Sequence, residues 1–299
     1  MIREDIIELF RVPAGKAVRL KDYNSSWSQT DEMEDLGKDE IKERARQTLD
    51  QNLAELAEAQ NLLYADDRYS VLIVLQAMDA AGKDGTIKHV MSGVNPQGCQ
   101  VFSFKKPSAE ELDHNFLWRY SRCLPERGRI GIFNRSYYED VLVVKVHPEL
   151  LTAQRLPVDT NKKKFWRKRY EDINAFERHL VSNGTVILKF FLNVSKDEQK
   201  RRFLERLDRP EKNWKFSPAD LAERAHWGKY MRAYADCLSA TSTKWAPWYV
   251  VPADHKWAGR AVVADVITST LRSLGLEYPE VNDEQRANLA AAKEQLLAE

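Results

Sequence analysis

The stretch VLIVLQAMDAAGKDGTIKHV, residues 71–90, decides the fold. Its first seven residues form a continuous apolar run with several β-branched side chains, which is typical of a strand buried on both faces of a parallel sheet. A turn containing Gly82 and Lys83 follows, and the next residues continue as a helix. A strand that runs through a Gly-Lys turn into a helix predicts a phosphate-binding loop, because the first N–H groups of a helix are unpaired and carry the positive end of its dipole.

The match of this turn to the usual phosphate-loop pattern, GxxxxGK followed by Ser or Thr, is imperfect. Ala77 stands where the first glycine belongs, and Asp84 replaces the hydroxyl residue that would contact Mg²⁺. An ordinary strand-to-helix turn is therefore the alternative interpretation. In the functional interpretation, Lys83 adds a positive charge and the glycines admit phosphate oxygens close to the backbone. The residues expected to bind phosphate are Ala81, Gly82, Lys83, Asp84, Gly85 and Thr86.

Asp79, inside the loop, is an unusual residue for a phosphate site. A carboxylate among phosphates repels them unless a metal ion lies between, so Asp79 is the candidate ligand of Mg²⁺, with Mn²⁺ as a possible substitute. Asp79 could instead orient an attacking oxygen. A turn aspartate that makes a local backbone hydrogen bond is the alternative without a catalytic role.

The remaining pattern alternates strands with helices, which predicts an α/β protein with a mainly parallel five-stranded sheet covered on both faces. We expect a three-layer, P-loop kinase-like fold with a helical lid and an N-terminal helical extension. The further strands are predicted at 99–104, 129–134, 185–194 and 247–253. One domain, 1–299, is expected, with an irregular arm at 1–30 and a helix at 38–65 within 1–69, a core at 70–275, a lid at about 196–242 and a helical tail at 276–299.

The segment NRSYYED, residues 134–140, follows the third strand. Ligands of open α/β sheets lie beyond the carboxyl ends of the strands, so this segment should face the same crevice as the loop. Arg135 is the candidate phosphate clamp, because a planar guanidinium suits phosphate oxygens. Glu139 and Asp140 could hold a metal or a nucleoside hydroxyl. A solvated loop is the alternative.

Two segments concentrate positive charge. In the first, 196–215, Arg202, Arg206 and Arg209 recur at helical spacing and predict one basic face, as in a lid that closes over phosphates; the alternative is a solvated helix surface. The predicted lid cations are Arg202, Arg206, Arg209, Lys212 and Lys215. The second, KKKFWRKRY at 162–170, could bind a polyanion, but a solvated face of an amphipathic helix is favoured.

Composition excludes several classes of protein. The chain has 299 residues, of which 43% are hydrophobic and 30% charged, and its net charge of +1 argues against a general polyanion or nucleic-acid binder. Three distant cysteines, Cys99, Cys123 and Cys237, indicate free thiols in a reducing compartment. The N-terminal residues lack the apolar core of a signal peptide, and no stretch approaches the ~20 apolar residues of a membrane span. We therefore expect a soluble, cytoplasmic protein.

Four blocks of the chain, in order, resemble the polyphosphate kinase 2 family over roughly residues 30–275. The blocks are MDAAGKDGTIKHVMSGVNPQG (78–98), FLWRYSRCLPERGRIGIFNRSYYEDVLVVKVHP (116–148), RPEKNWKFSPADL (209–221) and APWYVVPADHKWAGR (246–260). The family's second motif often reads DRSWYNR, whereas here Asn134 takes the place of the first Asp, as in the subgroup called class III.

The resemblance implies a polyphosphate:nucleotide phosphotransferase that uses Mg²⁺ to phosphorylate ADP and GDP, and in this subgroup AMP and GMP as well. It implies that Asp79, Lys83 and Arg135 are catalytic, that Arg119 binds phosphate, and that Asn134, Glu139 and Asp140 contact the nucleotide or lie behind the metal. A homo-oligomer, dimer or tetramer, is also expected. The alternatives are a nucleotide or small-molecule kinase that uses ATP as donor, and a polyanion- or nucleic-acid-binding module.

Overall fold

The strands form a parallel sheet in the computed structural model, which describes residues 4–30, 35–160 and 163–299. The strands are β1 (Ser70–Ala77), β2 (Cys99–Ser103), β3 (Ile130–Asn134), β4 (Thr185–Asn193) and β5 (Trp248–Pro252). Their spatial order is β2-β3-β1-β4-β5, and each neighbouring pair is parallel. The α/β class and the five parallel strands expected from the sequence are thereby confirmed.

Two groups of helices cover the sheet. The helices are α1 (Glu4–Phe10), α2 (Lys38–Asp66), α3 (Lys83–Val90), α4 (Ala109–Asp113), α5 (Trp118–Ser121), α6 (Val143–Val146), α7 (Lys163–Ser182), α8 (Lys196–Asp208), α9 (Pro218–Ala225), α10 (Trp227–Thr241), α11 (Lys256–Arg272) and α12 (Asp283–Leu297). In one group, α11 packs against both α2 and α3; in the other, α10 packs against both α6 and α7. All residues of β1, β3 and β5 are buried, so side chains on both faces of the sheet are covered.

The residues 4–10 depart from the irregular arm expected at 1–30, because they form α1. Ile6, Ile7 and Phe10 recur at helical spacing and are buried in the hydrophobic core, which explains why a short helix forms there. The Phe10 ring packs edge-on against the ring of Trp27, with centroids 4.9 Å apart. The segment is therefore part of the core packing, although its polar flanks conceal this in the sequence.

Two further expectations concern the chain's environment. All three cysteines are free. Among the helices of the described residues, none combines the length and the apolar character that a bilayer span requires.

The order of the strands places the functional site. The chain leaves β1 for the edge strand β2, returns to β3 beside β1, and then crosses to β4 on the other side of β1. The carboxyl end of β1 is thus the point at which the strand order reverses, where open α/β sheets form their ligand crevice. The loop after β1 and the segment after β3 both lie at this edge.

Candidate active site

The loop between β1 and α3 has the backbone of a phosphate-binding turn. Gly82 precedes the helix with φ at +112°, a conformation that glycine adopts without steric cost. Ala80 also has a positive φ, +62°, which is uncommon for a residue with a side chain. The first hydrogen bond at the start of α3 runs from the Thr86 N–H to the Gly82 carbonyl at 2.9 Å. The preceding N–H groups of that turn have no intrahelical acceptor and are available to an anion.

Lys83 supplies the positive charge of this loop. Its ammonium donates a hydrogen bond across the turn to the carbonyl oxygen of Ala77, at 3.0 Å. Burial lowers the pKa of Lys83, and the neighbouring guanidinium of Arg135 lowers it further, while Asp79 opposes both. Because the ammonium is buried and lies near the guanidinium of Arg135, a phosphate group at this place would stabilise its charge.

Arg135 and Asp79 face each other across the crevice. Nη2 of Arg135 lies 3.3 Å from Oδ1 of Asp79, so the carboxylate of the loop is paired with the cation that follows β3. Arg135 has a positive φ of +66°, and its N–H donates to the carbonyl of Leu75 at 3.1 Å, which ties the segment after β3 to β1. The amide of Gln199 on α8 donates to the Asp79 carbonyl at 2.9 Å. The two predicted catalytic groups are therefore adjacent, and the lid helix touches the same loop.

Asn134 and Asp84, which both depart from common motifs, form one contact. The Asn134 amide, at the end of β3, donates to Oδ1 of Asp84 at 2.7 Å and lies 3.4 Å from the Ser103 hydroxyl. Asn134 is thus part of the site, but its amide nitrogen faces a carboxylate and not a metal position. Of the two carboxylates in the loop, Asp84 therefore contacts Asn134, and Asp79 contacts Arg135 instead.

Arg202 holds the lid helix α8 against the loop. Its guanidinium, only 4% exposed, donates to the carbonyls of Ala80 at 3.0 Å and Ala81 at 2.6 Å, and to the Asp254 carbonyl at 3.1 Å. Its Nε donates to Glu198 at 2.7 Å. The protein itself therefore occupies most donors of Arg202. These contacts favour a role of Arg202 in fixing the strained loop backbone. The direct contact with phosphate expected of Arg202 stays a prediction.

The other lid cations divide into two groups. Helix α8 ends at Asp208, so Arg209 lies outside the helical face predicted for it, because the residue before a proline is driven into an extended conformation. Arg209 pairs with Glu205 and Glu211 and does not line the cleft. The cleft is lined instead by Arg202, Arg206, Lys212 and Lys215.

An acidic residue that sequence reasoning missed, Asp220, lines the cleft beside Arg206. The Arg206 guanidinium lies 3.6 Å from the carboxylate of Asp220, in the first turn of α9, and donates to the carbonyl of Lys215 at 3.2 Å. Burial raises the pKa of Asp220, and the carboxylate of Asp79 raises it further. Asp220 stands inside the quoted motif RPEKNWKFSPADL, but nothing in the sequence alone distinguished it from an ordinary helix N-terminal aspartate.

Glu139 does not line the cleft, and its carboxylate interacts with the charges of Arg135 and Lys83. The side-chain amide of Gln76 is oriented so that both its nitrogen and its oxygen have partners. The Gln76 nitrogen donates to Oε1 of Glu139 at 2.8 Å, and the Gln76 oxygen accepts from the N–H of Ser136. Burial raises the pKa of Glu139, whereas Arg135 and Lys83 act in the opposite direction. Glu139 therefore influences the site through these two cations.

Asp140 and Arg119 are not among the residues that line the cleft. Asp140 is turned into the protein, where Arg169 donates to it at 3.2 Å and Gln154 at 2.8 Å. The buried guanidinium of Arg119 donates to the Lys105 carbonyl at 2.9 Å. The charges of Asp140 and Arg119 are thus used within the protein, and the phosphate or nucleotide contacts expected of them remain predictions.

In the basic segment at 162–170, charged side chains among the described residues also face carboxylates of the protein. Arg169 is buried against Asp140, and Arg167 and Lys168 are exposed and face Glu171 and Asp172 one helical turn later, at 3.7 Å each. The preferred interpretation, a solvated helix face, agrees with these contacts; Lys162 lies outside the described residues.

Three basic residues of the cleft were missed by sequence reasoning. Lys105 follows β2, and Lys256 and Arg260 lie in the first turns of α11, after β5. Neither the Lys256 nor the Arg260 side chain forms a hydrogen bond or ion pair with the described residues, and burial lowers the pKa of both. All three follow the carboxyl ends of strands, so the rule that placed Arg135 could have found them.

Together these elements enclose a cleft of about 610 Å³. Nine of its lining residues are Lys or Arg and four are Asp or Glu, so its ligand is an anion carrying several charges. Within the described part of the chain, no three His, Cys, Asp or Glu side chains group closely enough to hold a metal by themselves. Mg²⁺ in phosphoryl-transfer sites is commonly bound by one or two carboxylates together with substrate phosphates, an arrangement that Asp79 fits.

Comparison with known proteins identifies the family of this chain. The profile of the family described as polyphosphate kinase 2 matches residues 39–278. An ADP-polyphosphate phosphotransferase of Rhodopseudomonas palustris is 57% identical over 259 residues, which cover 86% of this chain and 90% of that protein. An AMP/ADP-polyphosphate phosphotransferase of Meiothermus ruber is 49% identical over 225 residues, covering 75% and 80%. The crystal structure of polyphosphate kinase 2 from Arthrobacter aurescens matches with a TM-score of 0.85 at 39% identity and covers 96% of each chain. The chain therefore belongs to the polyphosphate kinase 2 family.

Proposed function

We propose that this protein transfers the terminal phosphoryl group of inorganic polyphosphate to ADP and GDP, and to AMP and GMP as well. The observation that carries the proposal is the cleft, in which a phosphate-binding loop opens into a space lined by nine basic and four acidic residues. A nucleotide alone needs fewer cations, whereas a long chain of phosphates needs a row of them. The names of the relatives in Rhodopseudomonas palustris and Meiothermus ruber support the same donor.

The reaction asks the protein for positioning and for charge stabilisation. An oxygen of the acceptor's terminal phosphate attacks the end phosphorus of the polyphosphate chain. The bond from that phosphorus to the bridging oxygen breaks, and the chain leaves one phosphate shorter. Lys83 and the loop N–H groups hold phosphate oxygens, while Arg135 and Arg206 stabilise the charge that develops on the transferred group.

Mg²⁺, with Mn²⁺ as a possible substitute, belongs to this proposal. Asp79, a loop carboxylate that lines the cleft, would hold it together with substrate oxygens. When bound, the ion neutralises charge on the phosphates and so reduces their repulsion of the attacking oxygen.

Use of monophosphates is the finer part of the proposal. It rests on the segment NRSYYED at 134–140 and on the relative in Meiothermus ruber, whose name includes AMP, whereas the name of the relative in Rhodopseudomonas palustris includes only ADP. A homo-oligomer is also expected, and light scattering during gel filtration of the full chain measures it.

The test incubates the purified protein with Mg²⁺, long-chain polyphosphate and each of AMP, ADP, GMP and GDP, and separates the nucleotides. We expect ATP from ADP without any nucleoside triphosphate donor, and ADP from AMP with an adenylate kinase inhibitor present. No product from polyphosphate, together with phosphorylation of AMP by GTP, would assign the protein to the ordinary nucleotide kinases. Binding of duplex DNA without turnover would favour the nucleic-acid module.

A further inference from the structure

A buried ion pair lies behind the active site, and the reaction described above does not use it. The Lys189 ammonium, on β4, lies 2.6 Å from Oε2 of Glu177 on α7, and both side chains are 0% exposed. Neither residue lines the cleft. Burial lowers the pKa of Lys189, and Glu177 opposes that shift, so the two charges stabilise each other.

The pair is joined to two consecutive tyrosines. The hydroxyl of Tyr137 donates to Oε1 of Glu177 at 2.9 Å, and the hydroxyl of Tyr138 donates to the same oxygen at 2.7 Å. Lys189 donates to the Tyr138 hydroxyl at 2.9 Å and to the carbonyl of Thr241 at 2.7 Å. All three donors of the ammonium and both oxygens of the carboxylate are thus engaged within a closed set of contacts.

Such a pair adds little to the stability of a core. Removing two charges from water costs about as much as their attraction returns, and apolar residues of similar volume are often as stabilising or more so. The hydrogen bonds, however, fix the orientation of the groups that they join. The feature that this network orients is the short helical turn Tyr137–Asp140.

Active-site residues flank the two tyrosines in the chain. Arg135, with its positive φ, comes two residues before Tyr137, and Glu139 directly follows Tyr138. Because two successive side chains are anchored to one carboxylate, the turn cannot rotate without breaking both hydrogen bonds. The Arg135 guanidinium lies 3.3 Å from Asp79, and the backbone that carries it leads directly into this turn.

We propose that Glu177 and Lys189 are positioning residues, which hold Arg135 and Glu139 in place through Tyr137 and Tyr138. They touch neither substrate nor reacting atoms, and their effect passes through the turn. The inference rests on the proposed function in so far as Arg135 is taken to act on the transferred phosphoryl group.

The experiment is a double-mutant cycle. One arm is Glu177→Leu/Lys189→Met, which replaces both charges by apolar groups of similar volume; the other is Arg135→Ala. We expect the apolar pair to lower kcat for ADP and polyphosphate by ~10-fold to ~100-fold, the scale for a misplaced catalytic group, with smaller changes in KM. In the Arg135→Ala background the same pair should cost less than about 2-fold, since there is no guanidinium left to misplace.

Two controls keep the outcomes distinct. Leu63→Ala removes a fully buried core side chain of α2 that is not part of the network, and its kcat should stay within about 2-fold of the wild type. Tyr138→Phe removes one hydroxyl of the network and should also lower kcat. If the apolar pair does not fold, Tyr138→Phe takes its place in the double-mutant cycle with Arg135→Ala.

The same cycle is measured on ADP affinity by calorimetry, which needs no turnover. If the wild type does not turn over polyphosphate, the proposed function fails, and the coupling between the network and Arg135 in ADP binding still decides this inference. Equal losses in both backgrounds, or wild-type kcat and affinity in the apolar pair, would overturn it.

Discussion

The amide of Asn134 donates to the carboxylate of Asp84 at 2.7 Å, so a residue that departs from the usual phosphate-loop pattern, Asp84, is the partner of one that departs from the family's second motif, Asn134. Asn134→Asp would put two carboxylates at that distance, and one of them would have to bind a proton or turn away. We expect kcat/KM for polyphosphate to fall at least ~10-fold, or about 1.4 kcal/mol.

The compensating change tests the partnership. In Asn134→Asp/Asp84→Thr, the new hydroxyl can donate to the new carboxylate, so we expect at least half of the loss, on a logarithmic scale, to be recovered. Asp84→Thr alone is the matched control. If the double variant is as slow as Asn134→Asp, the two positions act independently.

Substitutions of the loop residues should lower the activity without lowering the thermal stability. Lys83→Ala and Asp79→Ala should each lower kcat at least ~10²-fold, the scale for removing one preorganised charge. Their Tm should stay close to the wild type, because both side chains lie at the cleft and not in the core. Steady-state kinetics and thermal melting measure the two effects, and a fully active Lys83→Ala would refute the phosphate-loop assignment.

The arginines of α8 should differ from one another according to their contacts. Arg202→Met leaves buried carbonyls without a donor, which costs about 1–3 kcal/mol each, and should lower both Tm and kcat. The neighbouring Arg201→Ala, at an exposed ion pair with Glu198, is the matched control and should stay within ~0.5 kcal/mol. Unfolding in urea compares the two variants, and equal stabilities would contradict the role of Arg202 in holding α8 against the loop.

Kinetics should separate the next two positions. Arg206→Ala should raise KM for polyphosphate, and its kcat/KM should fall less steeply with added salt than the wild type's, because a screened cation has been removed from the cleft. Arg209→Ala should match the wild type at both salt concentrations. Identical salt slopes in all three proteins would remove Arg206 from the polyphosphate site.

The buried carboxyl of Glu139 predicts a dependence of stability on pH. Burial holds its pKa above the usual 4.5 in the folded protein, so the folded state favours the protonated form. The stabilisation that the Glu139 carboxyl contributes is fully present at pH values below its pKa in the unfolded state. It is lost as the pH rises through its pKa in the folded state. The Tm of Glu139→Gln minus that of the wild type should therefore increase between pH 5 and pH 8. A difference that is constant or falls over this range would mean that Arg135 and Lys83 outweigh burial.

Sequence reasoning located the site where local pattern decides structure. The apolar run before Gly82 and the order of strands and helices are local signals, and they placed the loop and the segment after β3 correctly at one edge. The spacing of Arg202 and Arg206 gave a helix face, but spacing does not reveal how deeply a side chain is buried or which carbonyls surround it. Arg202 and Arg206 therefore looked equivalent in the sequence and differ in the structure.

The contacts that sequence reasoning did not foresee depend on distant partners. Asp140 meets Arg169, and Asp220 meets Arg206; in each case a charge is placed by contacts between separate elements. Lys256, also missed, is a different case. It follows the carboxyl end of β5 as Arg135 follows that of β3, so its place at the crevice is a local signal that the strand rule covers.

The central place of β1 has a consequence for synthesis. Both of its neighbours come later in the chain, β3 from Ile130 and β4 from Thr185, so the ribosome makes the apolar run long before either can pair with it. Until then the run is an unpaired, aggregation-prone segment. The charged residues at 66–68 stand shortly before it, a placement typical of gatekeeper residues. The pairing that covers both edges of the run is complete only once β4 has left the ribosome.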